Sequence, residues 1–314
     1  MKVLVTGGAG FIGSHLCEKL LSDGYQVICL DNFLTGRKVN IKHLLSNKNF
    51  SFIEADVTSH QSPVTSHQFN YLFHLASPAS PVDYQKYPIE TLLANSLGTY
   101  NMLELAKKNK AGFLLASTSE VYGDPEEHPQ KETYWGNVNP VGLRSCYDES
   151  KRFAEALTMS YYRQFNLNVR IVRIFNTYGP RMKPDDGRVI STFINQALKG
   201  ESLTVFGEGS QTRSFCYVAD MVEGLIKTMF EKGIKGEILN LGLPQEVQII
   251  ELAEAIKKLI KSRSEIQFAK LPVDDPSRRN PNITKAKKML NWEPKIGLEE
   301  GLKKTIEYYR KFKI

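Results

Sequence analysis

A short apolar strand pattern, Lys2-Val3-Leu4-Val5-Thr6, runs directly into Gly7-Gly8-Ala9-Gly10-Phe11-Ile12-Gly13, and a helical pattern begins at Phe11. No other stretch narrows the fold as far. Glycines between a strand and a helix let the backbone approach a pyrophosphate, and the helix start offers it free N–H groups. The next strand pattern, Gln26 to Leu30, delivers Asp31 at its end. An acid there accepts bonds from the adenosine ribose hydroxyls and repels a 2′-phosphate. Asn32 follows it, not an arginine, so NAD is favoured over NADP, with Arg37 the residue that argues the other way. Asp56, at the end of the third strand pattern, is placed to reach the adenine. The plain alternative for both acids is helix capping.

Further apolar runs at 50–55, 71–76, 112–117 and 169–175 alternate with helix-length stretches, the later ones at 88–108 and 147–165. Buried strands separated by amphipathic helices mean a parallel sheet covered on both faces. After Tyr178-Gly179-Pro180-Arg181 the character changes, with a turn-rich break at 184–187 and then shorter helix and strand patterns. The expected fold is α/β: a doubly wound parallel Rossmann sheet (1–177 plus 215–242) with a second, smaller α/β substrate domain (178–214 plus 243–314). The tail from Asp274 to Ile314 reads as polar and helical.

Composition excludes more than it selects. With 314 residues and 41% apolar content the chain is long enough for a sizeable core. Its charge of +7 arises from 41 basic against 34 acidic residues spread along the chain. That suits a phosphorylated small molecule without calling for nucleic acid. Cys17, Cys29, Cys146 and Cys216 show no metal-ligand spacing and point to a reducing compartment. The first strand pattern leaves no room for a signal peptide, and no apolar run approaches the ~18 residues of a membrane span. A soluble, cytoplasmic protein without metal is expected.

The stretch Ala116-Ser117-Thr118-Ser119-Glu120 places hydroxyls and a carboxylate where a buried strand opens into a loop. A turn would explain them; so would an active site at a strand's carboxyl end. Tyr147 and Lys151 have the spacing Y-x-x-x-K, which puts both on one helix face. A nearby ammonium stabilises a phenolate, which would bring a tyrosine pKa of ~10 toward neutrality. Tyr309 and Lys313 repeat the spacing at the tail, where no strand-end hydroxyl precedes, and are read as coincidence. Thr118 is then placed to hydrogen-bond the oxygen that Tyr147 deprotonates, so NAD-linked oxidation of a sugar or alcohol is the leading chemistry. His74, Trp135 and Trp292 are read as packing residues.

These features together resemble the extended short-chain dehydrogenase/reductases that act on nucleotide sugars, and within them the UDP-glucuronate decarboxylases. The resemblance spans essentially the whole chain, through TGGAGFIGSHL, DNFLTG, HLASPASP, STSEVYGDP, YWGNVNPVGLRSCYDESKR, RIFNTYGPRM, DGRVI, GSQTRSF, DDPSRRNP and NWEP. It implies that Gly7, Gly10, Phe11, Ile12, Asp31, Asn32, Asp56, Val57, Leu75, Ser77 and Thr177 hold NAD. Tyr147 would be the base and Lys151 its support at the nicotinamide ribose. Asn176, Thr204, Phe206 and Arg213 would serve the UDP portion, with Val205 in the same strand. Glu120 would be the family's catalytic glutamate and Arg279 the arginine on the carboxylate side, with Arg278 its neighbour.

Position 119 separates sister activities. The related 4,6-dehydratases read Thr-Asp-Glu where this chain has Thr118-Ser119-Glu120, and a serine does not readily protonate a departing hydroxyl. The implied reaction is decarboxylation of UDP-glucuronate to UDP-xylose and CO2 with retained NAD. A 4,6-dehydratase or 4-epimerase is the alternative, and a non-catalytic NAD-binding regulator a distant one. The family also implies a homodimer pairing the helices near 91–108 and 147–165, with Leu92, Leu93, Leu97, Tyr100 and Leu103 as apolar positions facing the partner.

Overall fold

The computed structural model describes residues 1–59, 63–271 and 278–311. Seven strands, β1 (Lys2–Thr6), β2 (Gln26–Asp31), β3 (Phe50–Glu54), β4 (Tyr71–His74), β5 (Gly112–Thr118), β6 (Val169–Ile174) and β7 (Ile238–Leu241), form one sheet. Their order is β7-β6-β5-β4-β1-β2-β3, with every pairing parallel. Alternate residues feed opposite faces: Val3, Val5 and Cys29 join one core, Leu4, Ile28 and Leu30 the other. Because both faces are covered, the strands read as continuous apolar runs rather than as alternation.

Helix α1 (Phe11–Ser22) shares the first core with α4 (Val218–Phe230), and α2 (Thr99–Asn109) shares the second with α3 (Ser145–Phe165). The chain runs outward from β1 to β2 and β3, then returns past β1 to β4. Strand order therefore reverses at β1, and a crevice opens at the carboxyl ends there. Helix α3 is tied to the sheet by Glu155. Its Oε1 accepts from Ser117 Oγ at 2.6 Å and Arg173 Nε at 3.0 Å, and its Oε2 accepts from Arg173 Nη2 at 2.8 Å. That buried fork sets the position of the helix against β5 and β6, and with it the place of Tyr147 and Lys151.

Beyond residue 178 the elements are smaller. Leu203–Phe206 pairs in parallel with Ile266–Ala269, while Thr212–Ser214 lies between Glu246–Gln248 and Arg278–Arg279. Strands of two to four residues carry too little pattern to announce themselves in sequence. The expected helical tail contains Thr284–Leu290 and Leu298–Lys311; Leu302, Ile306 and Tyr309 of the latter are buried. Asp274, Ser277 and Lys313 lie outside the described residues.

Three expectations need correcting. The third strand ends at Glu54, so Asp56 sits in the following loop, where Thr58 and Asn32 hold its carboxylate. Trp135 is 88% exposed and packs against nothing substantial, unlike Trp292, which is buried over Gly224. Leu103 is buried in its own core, so of the apolar positions proposed to face a partner only Leu92, Leu93 and Tyr100 are substantially exposed. All four cysteines are buried and free. Among the described residues no helix is long and apolar enough to cross a membrane, and no cluster of side chains could hold a metal.

Candidate active site

The carboxyl ends of β1, β2, β4 and β5 open on a cleft of about 510 Å³, which also reaches Leu203–Phe206 and Arg213. Its floor is the glycine turn. Gly7 has φ +70°, and a Cβ there would lie 2.8 Å from the Ala76 nitrogen; a Cβ on Gly13 would lie 2.1 Å from the Gly7 carbonyl oxygen. Neither position tolerates a side chain. Helix α1 starts without a side-chain cap and without an acid in its first turn, so its N-terminal N–H groups face the cleft uncompensated.

Asp31 lines this end and has a second task. Its Oδ2 accepts from the Ala9 N–H at 2.9 Å and its Oδ1 from the Phe33 N–H at 2.8 Å, so it braces the glycine turn from behind. Burial raises its pKa, against those two N–H bonds. Arg37 lines the cleft and donates to the Arg181 carbonyl at 3.0 Å. Val57 packs against Gly98 in a π-helical turn, Ala94–Gly98, that brings Asn95 Nδ2 to 3.0 Å from both Ser77 Oγ and Ser150 Oγ. The turn thereby fastens the loops after β3 and β4 to α3. Phe11, Ile12, Asn32, Asp56, Leu75 and Thr177 also line the cleft. The glycine cradle, the uncapped helix start and the acid at the end of β2 fit a bound NAD.

At the other end, the Tyr147 phenol lies beside Thr118, which favours its ionised form, and its ring stacks on Tyr84 with centroids 5.1 Å apart and planes at 4°. Lys151 is buried on the same face, Nζ 5.8 Å from the Tyr147 ring centroid and donating to the Ala116 carbonyl at 2.9 Å. The expected electrostatics do not hold in this state. Burial raises the Tyr147 phenol above its usual range, with Thr118 only partly opposing it. Burial also lowers Lys151 to about 7, against the pull of Glu155. Desolvation of both groups outweighs the attraction that the four-residue spacing promises.

Ser119 is buried in the turn Ser119–Tyr122, which begins as β5 ends. Glu120 is held between two guanidiniums: Arg144 Nη2 lies 2.5 Å from Oε2, and Arg279 Nη1 pairs with Oε1. Burial alone would raise this carboxyl, yet Arg279 and then Arg144 hold it at about 2. Glu120 is thus an anion and not an acid in this state. Arg279 is 2% exposed, donates its second arm to the Gly123 carbonyl at 2.7 Å, and stands behind Glu120 rather than along the cleft wall. Arg278 is exposed and borders a separate crevice with His128 and Glu246. Asn176, Thr204, Phe206 and Arg213 line the far end of the cleft, whereas Val205 points into the core, as alternation along a strand requires.

His74 is packed and neutral, its ring between the Thr6 hydroxyl at 2.8 Å and the Thr99 hydroxyl at 3.2 Å, with burial lowering it to about 3. Sequence reasoning missed Tyr84, Arg144 and Arg188, which line the cleft, and Asp148, which is buried beside it. Arg144 had a signal: it stands three residues before Tyr147 and begins the same helix. Tyr84 had none beyond its place in a turn-rich stretch.

A parallel dinucleotide fold with Thr, Tyr and Lys grouped at the carboxyl end of its fifth strand defines a short-chain dehydrogenase/reductase. Within that class the chain belongs to the family described as GDP-mannose 4,6 dehydratase, whose model matches residues 4–305. It is 55% identical to UDP-glucuronic acid decarboxylase 1 of Danio rerio over 308 residues, 98% of this chain and 72% of that one. It is 54% identical to UDP-glucuronic acid decarboxylase 6 of Arabidopsis thaliana over 99% of this chain and 89% of that one. Among solved structures it resembles UDP-glucuronic acid 4-epimerase from Bacillus cereus in complex with UDP-glucuronic acid and NAD, with TM-score 0.90, 31% identity and coverage of 99% and 100%. UDP-glucose 4-epimerase of Thermotoga maritima with UDP-glucose gives TM-score 0.92, 32% identity and full coverage of both chains.

Proposed function

We propose that the protein converts UDP-glucuronate to UDP-xylose and CO2, with NAD held along the glycine turn and UDP toward Asn176, Thr204, Phe206 and Arg213. The observation that carries this is the Thr118-Ser119-Glu120 turn facing Tyr147 in a chain more than half identical to UDP-glucuronic acid decarboxylases over nearly its full length. Residues 1–177 plus 215–242 form the NAD part in this reading, and 178–214 plus 243–314 the nucleotide-sugar part.

The chemistry asked of NAD is to take a hydride from C4 of the sugar and give it back. Tyr147, which must first ionise to the phenolate with Lys151 beside it, accepts the C4 hydroxyl proton, while Thr118 hydrogen-bonds the same oxygen. A ketone at C4 is β to the C6 carboxylate, so the C5–C6 bond can break with its electrons delocalised onto the C4 oxygen. Tyr147, now carrying the proton, and Thr118 are donors aimed where that charge develops. Ser119 lacks the acidity to expel a hydroxyl, which disfavours elimination of water.

The test is incubation with UDP-glucuronate and NAD in D2O, followed by NMR. UDP-xylose carrying deuterium at C5, with CO2 and no net NADH, is expected. A 4-keto-6-deoxy sugar from UDP-glucose or dTDP-glucose, or UDP-galacturonate from UDP-glucuronate, would replace this reading by the dehydratase or the epimerase.

A further inference from the structure

The two guanidiniums on Glu120 are not equivalent. Arg279 is almost completely enclosed, behind the carboxylate, and is tied to the Gly123 carbonyl. Arg144 lines the cleft together with Glu120, Thr118 and Tyr147. It forms the N-cap of α3, so it stands at the positive end of a 21-residue helix, one turn ahead of the base. Beside it lies Tyr84, which also lines the cleft. The Tyr84 hydroxyl is buried and has no hydrogen-bond partner, although the charges of Arg144, Glu120 and Asp148 all act on it. A buried hydroxyl left unpaired is destabilising, which calls for a partner brought by the ligand.

We propose that Arg144 and the Tyr84 hydroxyl recognise the carboxylate of the sugar, and that Glu120 holds this place on Arg144 until the sugar arrives. This rests on the uronate reading above. Binding then exchanges one carboxylate for another on Arg144, while Glu120 keeps Arg279. Because a carboxylate–guanidinium contact is lost for each one gained, the grip on the ground state is modest. That matters for this reaction, since a strong grip on the carboxylate would oppose its departure as CO2. As CO2 leaves, Glu120 can return to Arg144. A neutral CH2OH at C6 has no means of displacing Glu120, so the exchange also selects uronates over hexoses.

The experiment is calorimetric binding of UDP-glucuronate, UDP-glucose and UDP-xylose to the protein loaded with NADH, which cannot accept the C4 hydride, and to its Arg144→Gln, Arg144→Lys and Tyr84→Phe variants. Turnover by the unmodified protein tests the decarboxylase reading separately, since a protein that bound uronates without decarboxylating them would still show the discrimination. In Arg144→Gln, preference for UDP-glucuronate over UDP-glucose should fall about tenfold or more, the scale of losing a partly buried charge partner. UDP-xylose affinity should stay within a few-fold, and Arg144→Lys should restore part of the preference. Tyr84→Phe, which removes a single oxygen, should weaken UDP-glucuronate selectively and to a smaller extent. Unchanged preference in both Arg144→Gln and Tyr84→Phe, or equal weakening of all three ligands, would overturn the proposal.

Discussion

Arg279 and Glu120, 159 positions apart in the chain, form an ion pair at the edge of the cleft, and the Gly123 carbonyl takes the other arm of the guanidinium. We propose from this arrangement that Arg279 positions Glu120 instead of meeting the sugar directly. Arg279→Ala should leave NAD and UDP binding within a few-fold, because neither site is touched. Turnover of UDP-glucuronate should fall by about 10²-fold, the scale of misplacing one charged group in a site. Steady-state decarboxylation beside UDP calorimetry measures both. Arg278→Ala, altering an exposed side chain outside the cleft, should be close to normal; equal losses in the two variants would remove the distinction.

Glu120 also makes a pH-dependent contribution to stability. Its folded pKa of about 2 lies below the ordinary 4.5, so the folded state binds fewer protons than the unfolded one. The contribution is fully present above about pH 4.5 and is lost as pH falls through 2, amounting to about 3 kcal/mol. Urea unfolding between pH 2 and 6 should show this loss in the unmodified protein and a flatter profile in Glu120→Gln.

Asp148 behaves in the opposite sense. Burial and then the nearby Glu120 raise it to about 7 from 3.8, against Arg144 and Arg279, and its Oδ1 has no hydrogen-bond partner. The folded state holds the proton more tightly, so stability declines as pH rises from about 4 to 7. Asp148→Asn removes the titration while keeping the shape. It should raise the urea midpoint at pH 8, by about 4 kcal/mol in stability, with little change at pH 4.

Gly13→Ala would drive a Cβ into the Gly7 carbonyl and displace the turn that fits the pyrophosphate. NAD affinity should drop by about 10²-fold or more, as when the backbone N–H contacts to a phosphate are lost together. Gly297→Ala, with no atom within 4 Å of the added carbon, is the control and should bind NAD normally. Fluorescence titration reads both.

The exposed apolar side chains Leu92, Leu93 and Tyr100, with Phe153 on α3, give the expected homodimer a surface on neighbouring helices. Light scattering at micromolar concentration should report a dimer, and Tyr100→Glu should shift it toward monomer by placing a charge in an apolar contact. A monomeric unmodified protein would remove the helix-pair interface.

What the sequence determined by itself is the part governed by local geometry. Continuous apolar runs separated by amphipathic helices dictate a covered parallel sheet. Gly7 and Gly10 between β1 and α1, with Gly13 in the first turn of α1, dictate a close approach that excludes side chains, and the spacing of Tyr147 and Lys151 dictates a shared helix face. These relations span a few residues, so they are legible without the fold. What only the tertiary structure decided is which distant groups share a desolvated space. The pairing of Glu120 with both Arg144 and Arg279, the stacking of Tyr84 on Tyr147, the enclosure of Leu103 and the exposure of Trp135 all depend on chain segments brought together by packing. The protonation states followed the same division. Spacing placed Lys151 near Tyr147, but burial, a property of the whole fold, lowered the lysine and raised the phenol. Charge in a protein interior answers to solvent exclusion and to partners from anywhere in the chain, and neither is written in local sequence.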